Sequence, residues 1–442
     1  MKKNLMRLAI VVVLFIGMSS ALWAQGLPTA KPEQVGLSSE RLSRIDTYFK
    51  DIIDKKEISG AVTLVARHGK IAYFKAYGMA DIEDKKPMKK DSLFRICSMT
   101  KVISAAAGMM LWEQGRFNLA DRVAKYIPAM RRLKVIEYDP TDPSKYTIVP
   151  AKNPMLIYHA FNLTAGFTYG FNFLAGAPLA KLLADAGLNS GFWPNDYDDA
   201  EYLEKRSQVP LRNQPGEQWN YGNDLQVVAR LVEVLSGMSF GDYCREKIFK
   251  PLGMNDTYFY PPEEKVARVA TLYLKSGAGL EKTERGKTYL NPAMLIEEPL
   301  DPFWFAHGPK KYFGAGEGLI TSTEDFAKFM QMLLNGGTLN GVRLLSPKTV
   351  EFMTTNQIEG ITCCQQTLGV QGWGLGVALF QDPGKMHVIG APGSYYWAGW
   401  MSTTWNIDPK EDMYFILMTQ RLPSGSDYQS QFRTLVYQSI VK

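Results

Sequence analysis

Ser98-Met99-Thr100-Lys101 is the stretch from which the rest of the chain can be read. It lies where a strand-like segment ends and a helix-like one begins. Thr100 to Gln114 is rich in Ala and Met, and Gly115 closes it. On a helix, a separation of three residues puts Ser98 and Lys101 on one face, with Cβ atoms about 5 to 6 Å apart. A serine hydroxyl attacks only when a base takes its proton, and a partly buried lysine can help do so. The helix N-terminus adds unpaired N–H groups close to any negative charge that develops. The spacing alone is weak, since about two S-x-x-K matches arise by chance in a chain this long. A second match, Ser439-Ile440-Val441-Lys442, ends the chain. A helix cap followed by a surface lysine is the competing reading of Ser98.

Upstream, Ser38 to Ile53 carries Leu42, Ile45, Phe49, Ile52 and Ile53 at the spacing of an amphipathic helix. Gly60 to Ala66 and Lys70 to Phe74 read as a β-hairpin joined across Arg67-His68-Gly69. Downstream, Pro128, Pro140, Pro143, Pro150 and Pro154 break up a polar stretch, which predicts a long excursion rather than a core element. Helical patterns return over Leu225 to Leu235, closed by Gly237, and over 324 to 334. In the last third, Trp373 to Phe380, Gly399 to Ile407 and Met413 to Gln420 are strand-like, and a final helix fits 426 to 440. Strands at both ends with helices between them predict an α/β (α+β) fold: a central antiparallel sheet flanked by helices, with an inserted, mainly helical subdomain. The expected boundaries are 30–95 and 320–440 for the sheet part and 96–319 for the helical part.

Composition narrows the class. The 442 residues are 46% hydrophobic and 21% charged, enough to bury a large core. Lys2, Lys3 and Arg7 precede an apolar run from Leu8 to Met18, and Ala24 offers a small residue before Gln25. That run is too short for a membrane span, so residues 1–24 are expected to be a cleaved signal peptide, with the mature protein periplasmic or secreted and no stable membrane anchor. The net charge of +6 includes three basic leader residues, which leaves +3 for the remainder and no case for a nucleic-acid partner. Four cysteines, two of them adjacent at Cys363-Cys364, are no disulfide framework. The four histidines are far apart and show no ligand spacing, so neither a metal nor another cofactor is expected.

The second chemical candidate is Tyr221-Gly222-Asn223, between a Pro215-Gly216 turn and a helix. A phenol can serve as acid or base, and an asparagine can orient both a lysine and a substrate carbonyl. A turn capped by Asn223 or Asp224 is the plainer reading.

Ser98-x-x-Lys101, then Tyr221-x-Asn223, then a glycine-bearing strand near the C-terminus resembles the motif order of the serine β-lactamase and penicillin-binding superfamily. Within it the chain looks most like the class C β-lactamase-like esterases and the D-amino-acid-specific peptidases. Glu113 to Asp121 and Pro215 to Asn223 resemble that family's flanking sequence, and the likeness covers about residues 30 to 440. It implies a β-lactamase/transpeptidase-like fold and an acyl-enzyme at Ser98, with Lys101 and Tyr221 sharing the base role and Asn223 holding Lys101.

Counting back from Asp408-Pro409, the third motif is Trp397-Ala398-Gly399, where penicillin-recognising members carry Lys-Thr-Gly. Small residues at 398 and 399 are expected to let substrate approach the strand. The resemblance also implies an oxyanion hole from the backbone N–H groups of Ser98 and Trp400. Another departure is Asn162-Leu163-Thr164-Ala165-Gly166-Phe167, in which Leu163 and Ala165 replace a His and a Ser of a cleft-wall segment. An indole at 397 lacks the charge that would hold a β-lactam or peptide carboxylate. The expected substrate is therefore a small-molecule ester with a short to medium acyl chain, with weak β-lactam hydrolysis at most. A β-lactamase, a D-amino-acid-specific peptidase or amidase, and a penicillin-binding sensor without turnover are the alternatives.

Overall fold

The computed structural model describes residues 26–171, 175–188, 196–277, 279–284, 288–289, 298–299, 304–363, 372–425 and 427–442. The expected signal peptide at 1–24 and the residue Cys364 lie outside them. Among the described residues no helix is long and apolar enough to cross a membrane.

The central sheet is assembled from the two ends of the chain. Strands β1 (Gly60–Arg67), β2 (Lys70–Asp81) and β3 (Lys86–Pro87) come first, followed after some 290 residues by β4 (Ala378–Leu379), β5 (Tyr395–Ala398), β6 (Thr404–Asp408) and β7 (Met413–Met418). Their spatial order is β4-β5-β6-β7-β1-β2-β3, and every neighbouring pair is antiparallel. The join between the ends is β1 with β7, where Val62 faces Met418 and Leu64 faces Ile416. The β1–β2 turn uses left-handed backbone at His68 (φ 53°) and Gly69 (φ 72°), the conformation that keeps a two-residue hairpin in step with strand twist.

All eight residues of β1 are buried, because helices cover the sheet on both faces. Ala61 and Val65 point toward α1 (Ser39–Asp54) and the C-terminal helix Asp427–Tyr437, where they meet Ile45, Phe49, Phe432 and Val436. Val62, Leu64 and Ala66 point the other way, toward α2 (Thr100–Glu113) and the helix Thr323–Leu334. Burying each large apolar side chain is worth about 1.5–3 kcal/mol, so this double cover is the main stabilising feature of the sheet. Local signals agree with the pattern. Ser38 Oγ accepts from Arg41 N–H to cap α1, and Ser322 Oγ accepts from Asp325 N–H to cap the 323–334 helix. The Leu225–Ser236 helix ends on Gly237 at φ 72°.

Three expectations change. The proline-broken stretch contains a regular hairpin, Lys134–Tyr138 with Tyr146–Pro150, whose Val135 and Ile136 enter the core. Of Trp373 to Phe380, only Ala378–Leu379 is strand. The segment expected as one strand from Gly399 to Ile407 is a turn followed by β6. Gly399 N–H donates to the Thr403 carbonyl, Ser402 N–H to the Gly399 carbonyl, and Ser402 takes φ 74°.

Candidate active site

Helix α2 is buried on nearly every side because Ala105, Ala106, Ala107 and Gly108 let neighbouring elements approach closely. A Cβ on Gly108 would stand 2.6 Å from Val228 and 2.7 Å from Phe161. The helix is entered through a 3₁₀ turn, Cys97–Met99, in which Cys97 takes φ 44°. A non-glycine residue in left-handed backbone is costly, and here it directly precedes Ser98. The turn is held by Ile96 N–H on the Leu319 carbonyl and by Thr403 Oγ1 on the Ile96 carbonyl. Ser98 sits in the first turn, where leading N–H groups have no intrahelical carbonyl.

Ser98 is 3% exposed and Lys101 fully buried. Lys101 Nζ makes three hydrogen bonds: to Ser98 Oγ at 3.3 Å, to the Tyr169 hydroxyl at 2.8 Å and to the Gly316 carbonyl at 3.0 Å. It also lies 4.7 Å from the ring centroid of Tyr221 and 5.1 Å from that of Tyr169. The structure thus brings Ser98, Lys101 and Tyr221 together from widely separated segments.

Trp397 joins them. Its indole Nε1–H donates to the Tyr221 hydroxyl at 3.1 Å, and the ring packs edge-on against Trp373 at 4.7 Å. The indole thus presents a neutral donor to the tyrosine oxygen.

Asn223 is buried, but Lys101 directs its hydrogen bonds to Ser98, Tyr169 and Gly316, and Asn223 Oδ1 meets no donor among the described residues. The small size of Gly399 has a structural cause: a Cβ there would collide with Thr403 Oγ1 and the Ile96 carbonyl. That contact sets the end of β5, with Ala398 and the backbone of Trp400, against the turn that carries Ser98. The Trp400 ring stacks on Phe171 at 5.7 Å.

The segment with Leu163 and Ala165 backs the site instead of lining it. Both residues are fully buried, the Leu163 carbonyl accepts from Asn220 N–H, and the Thr164 carbonyl accepts from Gly216 N–H. These bonds fix the loop that leads into Tyr221. His159, beside Gly216, is buried, which pushes its imidazole down to about 4 and keeps it neutral at pH 7.

The loop 315–319, which carries no recognised motif, also borders the site. Ser104 Oγ donates to the Ala315 carbonyl at 2.7 Å, Lys101 to Gly316, and Leu319 N–H to Thr100 Oγ1, so three residues of α2 hold this loop. A Cβ on Gly316 would lie 2.7 Å from the Tyr169 hydroxyl and 3.2 Å from Lys101 Nζ, which explains the glycine. Glu317 is 5% exposed, and its Oε2 accepts from the Tyr169 hydroxyl at 3.1 Å. The available signal was Gly314-Ala315-Gly316-Glu317-Gly318, one acidic residue among four small ones.

The family described as Beta-lactamase matches residues 45–438. Protein Rv1367c of Mycobacterium tuberculosis is 30% identical over 386 residues, 86% of this chain and 90% of that protein. Esterase EstB of Burkholderia gladioli is 28% identical over 87% of this chain and 91% of its own length. Among solved structures, EstCE1, a hydrolase with promiscuous acyltransferase activity, superposes with a TM-score of 0.77 at 25% identity, covering 90% of this chain and 99% of its own. With the family match spanning both the sheet and the segments that carry Ser98, Lys101, Tyr221 and Trp397, the chain belongs to the Beta-lactamase family.

Proposed function

We propose that this protein is a serine carboxylesterase of the class C β-lactamase-like branch, cleaving esters with short to medium acyl chains through an acyl-enzyme at Ser98. The observation that carries this reading is the convergence on Ser98. Lys101 Nζ stands 3.3 Å from Ser98 Oγ and under the Tyr221 ring, and Tyr221 is held by an indole N–H from Trp397 rather than by a lysine. The indole supports Tyr221 without presenting a charge to a substrate carboxylate, which favours neutral esters. The similarity to EstB and EstCE1 points the same way.

In the proposed reaction the Lys101 and Tyr221 pair removes the proton of Ser98 Oγ as the oxygen attacks the ester carbonyl. The backbone N–H groups of Ser98 and Trp400 receive the developing oxyanion, where one such donor is worth about 3 kcal/mol. Tyr221 then protonates the departing alcohol, and water releases the acid from Ser98. Asn223, whose buried amide oxygen meets no donor among the described residues, takes no step in this scheme. The leader at 1–24 supports export to the periplasm or beyond.

The test is a panel of short and long p-nitrophenyl esters, nitrocefin and D-alanyl amides, run with wild type and Ser98→Ala. Ester turnover that falls by about a thousandfold or more in the variant supports the reading. Undiminished turnover refutes it, and preferential cleavage of nitrocefin or the amides overturns the ester assignment.

A further inference from the structure

Glu317 is a buried ionisable group beside the site to which the acylation scheme gives no task. Glu317 reaches Lys101 through a single phenol: Lys101 Nζ donates to Tyr169 Oη at 2.8 Å, and the Tyr169 hydroxyl donates to Glu317 Oε2 at 3.1 Å. Tyr169 is 2% exposed, and its second neighbour on the carboxylate is Tyr312, whose hydroxyl donates to Oε1 at 3.5 Å. Because the Tyr169 proton is committed to Glu317, the Tyr169 oxygen turns its lone pairs toward Lys101.

The three partners of Lys101 agree with this orientation. A carbonyl (Gly316) only accepts, the Tyr169 oxygen accepts here, and Ser98 Oγ can accept while its own proton points elsewhere. Three acceptors match the three N–H bonds of an ammonium. A neutral amine has two, and its lone pair would have to accept from Ser98 Oγ–H, reversing the direction of that hydrogen bond. A fully buried ammonium is costly unless a negative charge compensates it, and Glu317 is the carboxylate connected to it by hydrogen bonds.

We propose that Glu317 is a positioning residue that acts through Tyr169 to hold Lys101 as an ammonium, leaving Tyr221 as the group that takes the proton from Ser98. This rests on the Ser98 acyl-enzyme reading and deepens it, since motif spacing left the base role shared. The reacting form has Tyr221 as its phenolate anion, with Lys101 beneath its ring and the Trp397 N–H at its oxygen. On attack, the Ser98 O–H bond breaks, a Tyr221 O–H bond forms, the Oγ–acyl bond forms and the carbonyl π pair moves onto oxygen. On collapse that pair returns, the bond to the leaving oxygen breaks, and Tyr221 gives its proton to that oxygen. Lys101 stays at +1 and Glu317 at −1 throughout.

The surroundings set the pH dependence. Burial pushes Glu317 up to about 7, opposed by the charge of Lys101 and by the hydrogen bonds from Tyr169 and Tyr312. Tyr197, Tyr202 and Cys97 also sense its charge. On the side of Lys101 stand Tyr221, Cys97 and Asp224, the last buried and pushed up to about 8 with Arg206 beside it. The Glu317 carboxylate is therefore present above about pH 7 and protonated below it, so the counter-charge is lost on acidification.

The experiment is the pH profile of kcat/KM for p-nitrophenyl butyrate, from about pH 5 to 10, with wild type, Glu317→Gln, Glu317→Asp and Tyr169→Phe. Acidification protonates Glu317 near pH 7 but also keeps Lys101 protonated, so the contribution of the carboxylate is read on the alkaline limb. Without the carboxylate, Lys101 gives up its proton more readily, so the alkaline limb moves to lower pH by about one unit, a tenfold loss at a fixed alkaline pH. Tyr169→Phe should move that limb in the same direction, and Glu317→Asp should return it toward wild type. A profile of unchanged shape, merely scaled down, overturns the proposal, as does an alkaline limb that moves upward. If Glu317→Gln does not fold, the other two variants carry the same test. Turnover that survives in Ser98→Ala refutes the nucleophile reading, whereas an inactive Ser98→Ala with an unshifted Glu317→Gln profile refutes this inference alone.

Discussion

Replacing Trp397 by Phe isolates the one hydrogen bond that distinguishes this site from a lysine-bearing one. Phe keeps an aromatic ring beside Trp373 and Tyr221, whose ring centroids lie 4.7 and 5.3 Å from that of Trp397, but removes the Nε1–H donor 3.1 Å from the Tyr221 hydroxyl. If Tyr221 carries charge as Ser98 is activated, the lost bond is one to a charged acceptor, worth about 1.5–3 kcal/mol. At about 1.4 kcal/mol per tenfold change in rate, kcat/KM for p-nitrophenyl butyrate should fall roughly ten- to hundredfold, mostly in kcat. The space left by the smaller ring costs stability separately, about 1–3 kcal/mol, and would appear as a lower Tm. The two effects separate because the kinetic loss is measured well below the Tm. A kcat/KM within about twofold of wild type refutes the claim that the indole acts on Tyr221 and returns Trp397 to an ordinary aromatic of the strand.

Two further outcomes follow from groups away from the proton path. Cys97 adjoins Ser98, but its thiol is buried, and burial pushes it up to about 11. A thiol-directed reagent such as DTNB at about pH 8 should leave esterase activity intact over an hour, and rapid inactivation would contradict this environment. At the sheet surface, Asp46 accepts hydrogen bonds from Lys75 Nζ, Tyr73 and Tyr77, and these hold its carboxyl below the usual range despite the opposing effect of partial burial. A depressed value in the folded state stabilises the fold above about pH 4 and loses that contribution as pH falls through the folded value. Asp46→Asn should therefore lower Tm at pH 7 by more than at pH 3, and equal losses at both would show that the contact is not electrostatic.

The sequence was most legible where a signal is local and repeats. The α1 stripe of Leu42, Ile45, Phe49 and Ile52, the β1–β2 hairpin and the Gly237 helix stop all depend on neighbours within a few residues, and all three elements form as read. The strand break at 399–403 was not legible, because apolar and small residues run on through it. What stops the strand is a contact some 300 positions away, the Ile96 carbonyl against Gly399. The site divides in the same way. Ser98 and Lys101 are visible as a pair because a helix sets their spacing. Asn223 looked like a partner for Lys101 from motif order, yet Tyr169 and the Gly316 carbonyl fill that place, and neither lies near Lys101 in sequence.

These missed residues bear on the substrate. If Glu317 balances Lys101, the charge on α2 is already satisfied inside the protein, and the ammonium keeps its hydrogen bonds for Ser98, Tyr169 and Gly316. It then has little left with which to attract an anionic substrate. In a lysine-bearing third motif a second cation would perform that task, but Trp397 spends its one N–H on Tyr221. A substrate carboxylate would have to give up its hydration without a charged partner from either residue, a penalty that a neutral ester does not incur. On the proposed reading, the two features that serve Tyr221, an internally balanced lysine and an indole donor, also weaken recognition of carboxylates. That coupling is the physical basis for ranking esters above β-lactams and peptides, and it predicts that the ranking follows residue 397: Trp397→Lys should gain relative activity on nitrocefin while losing it on p-nitrophenyl butyrate.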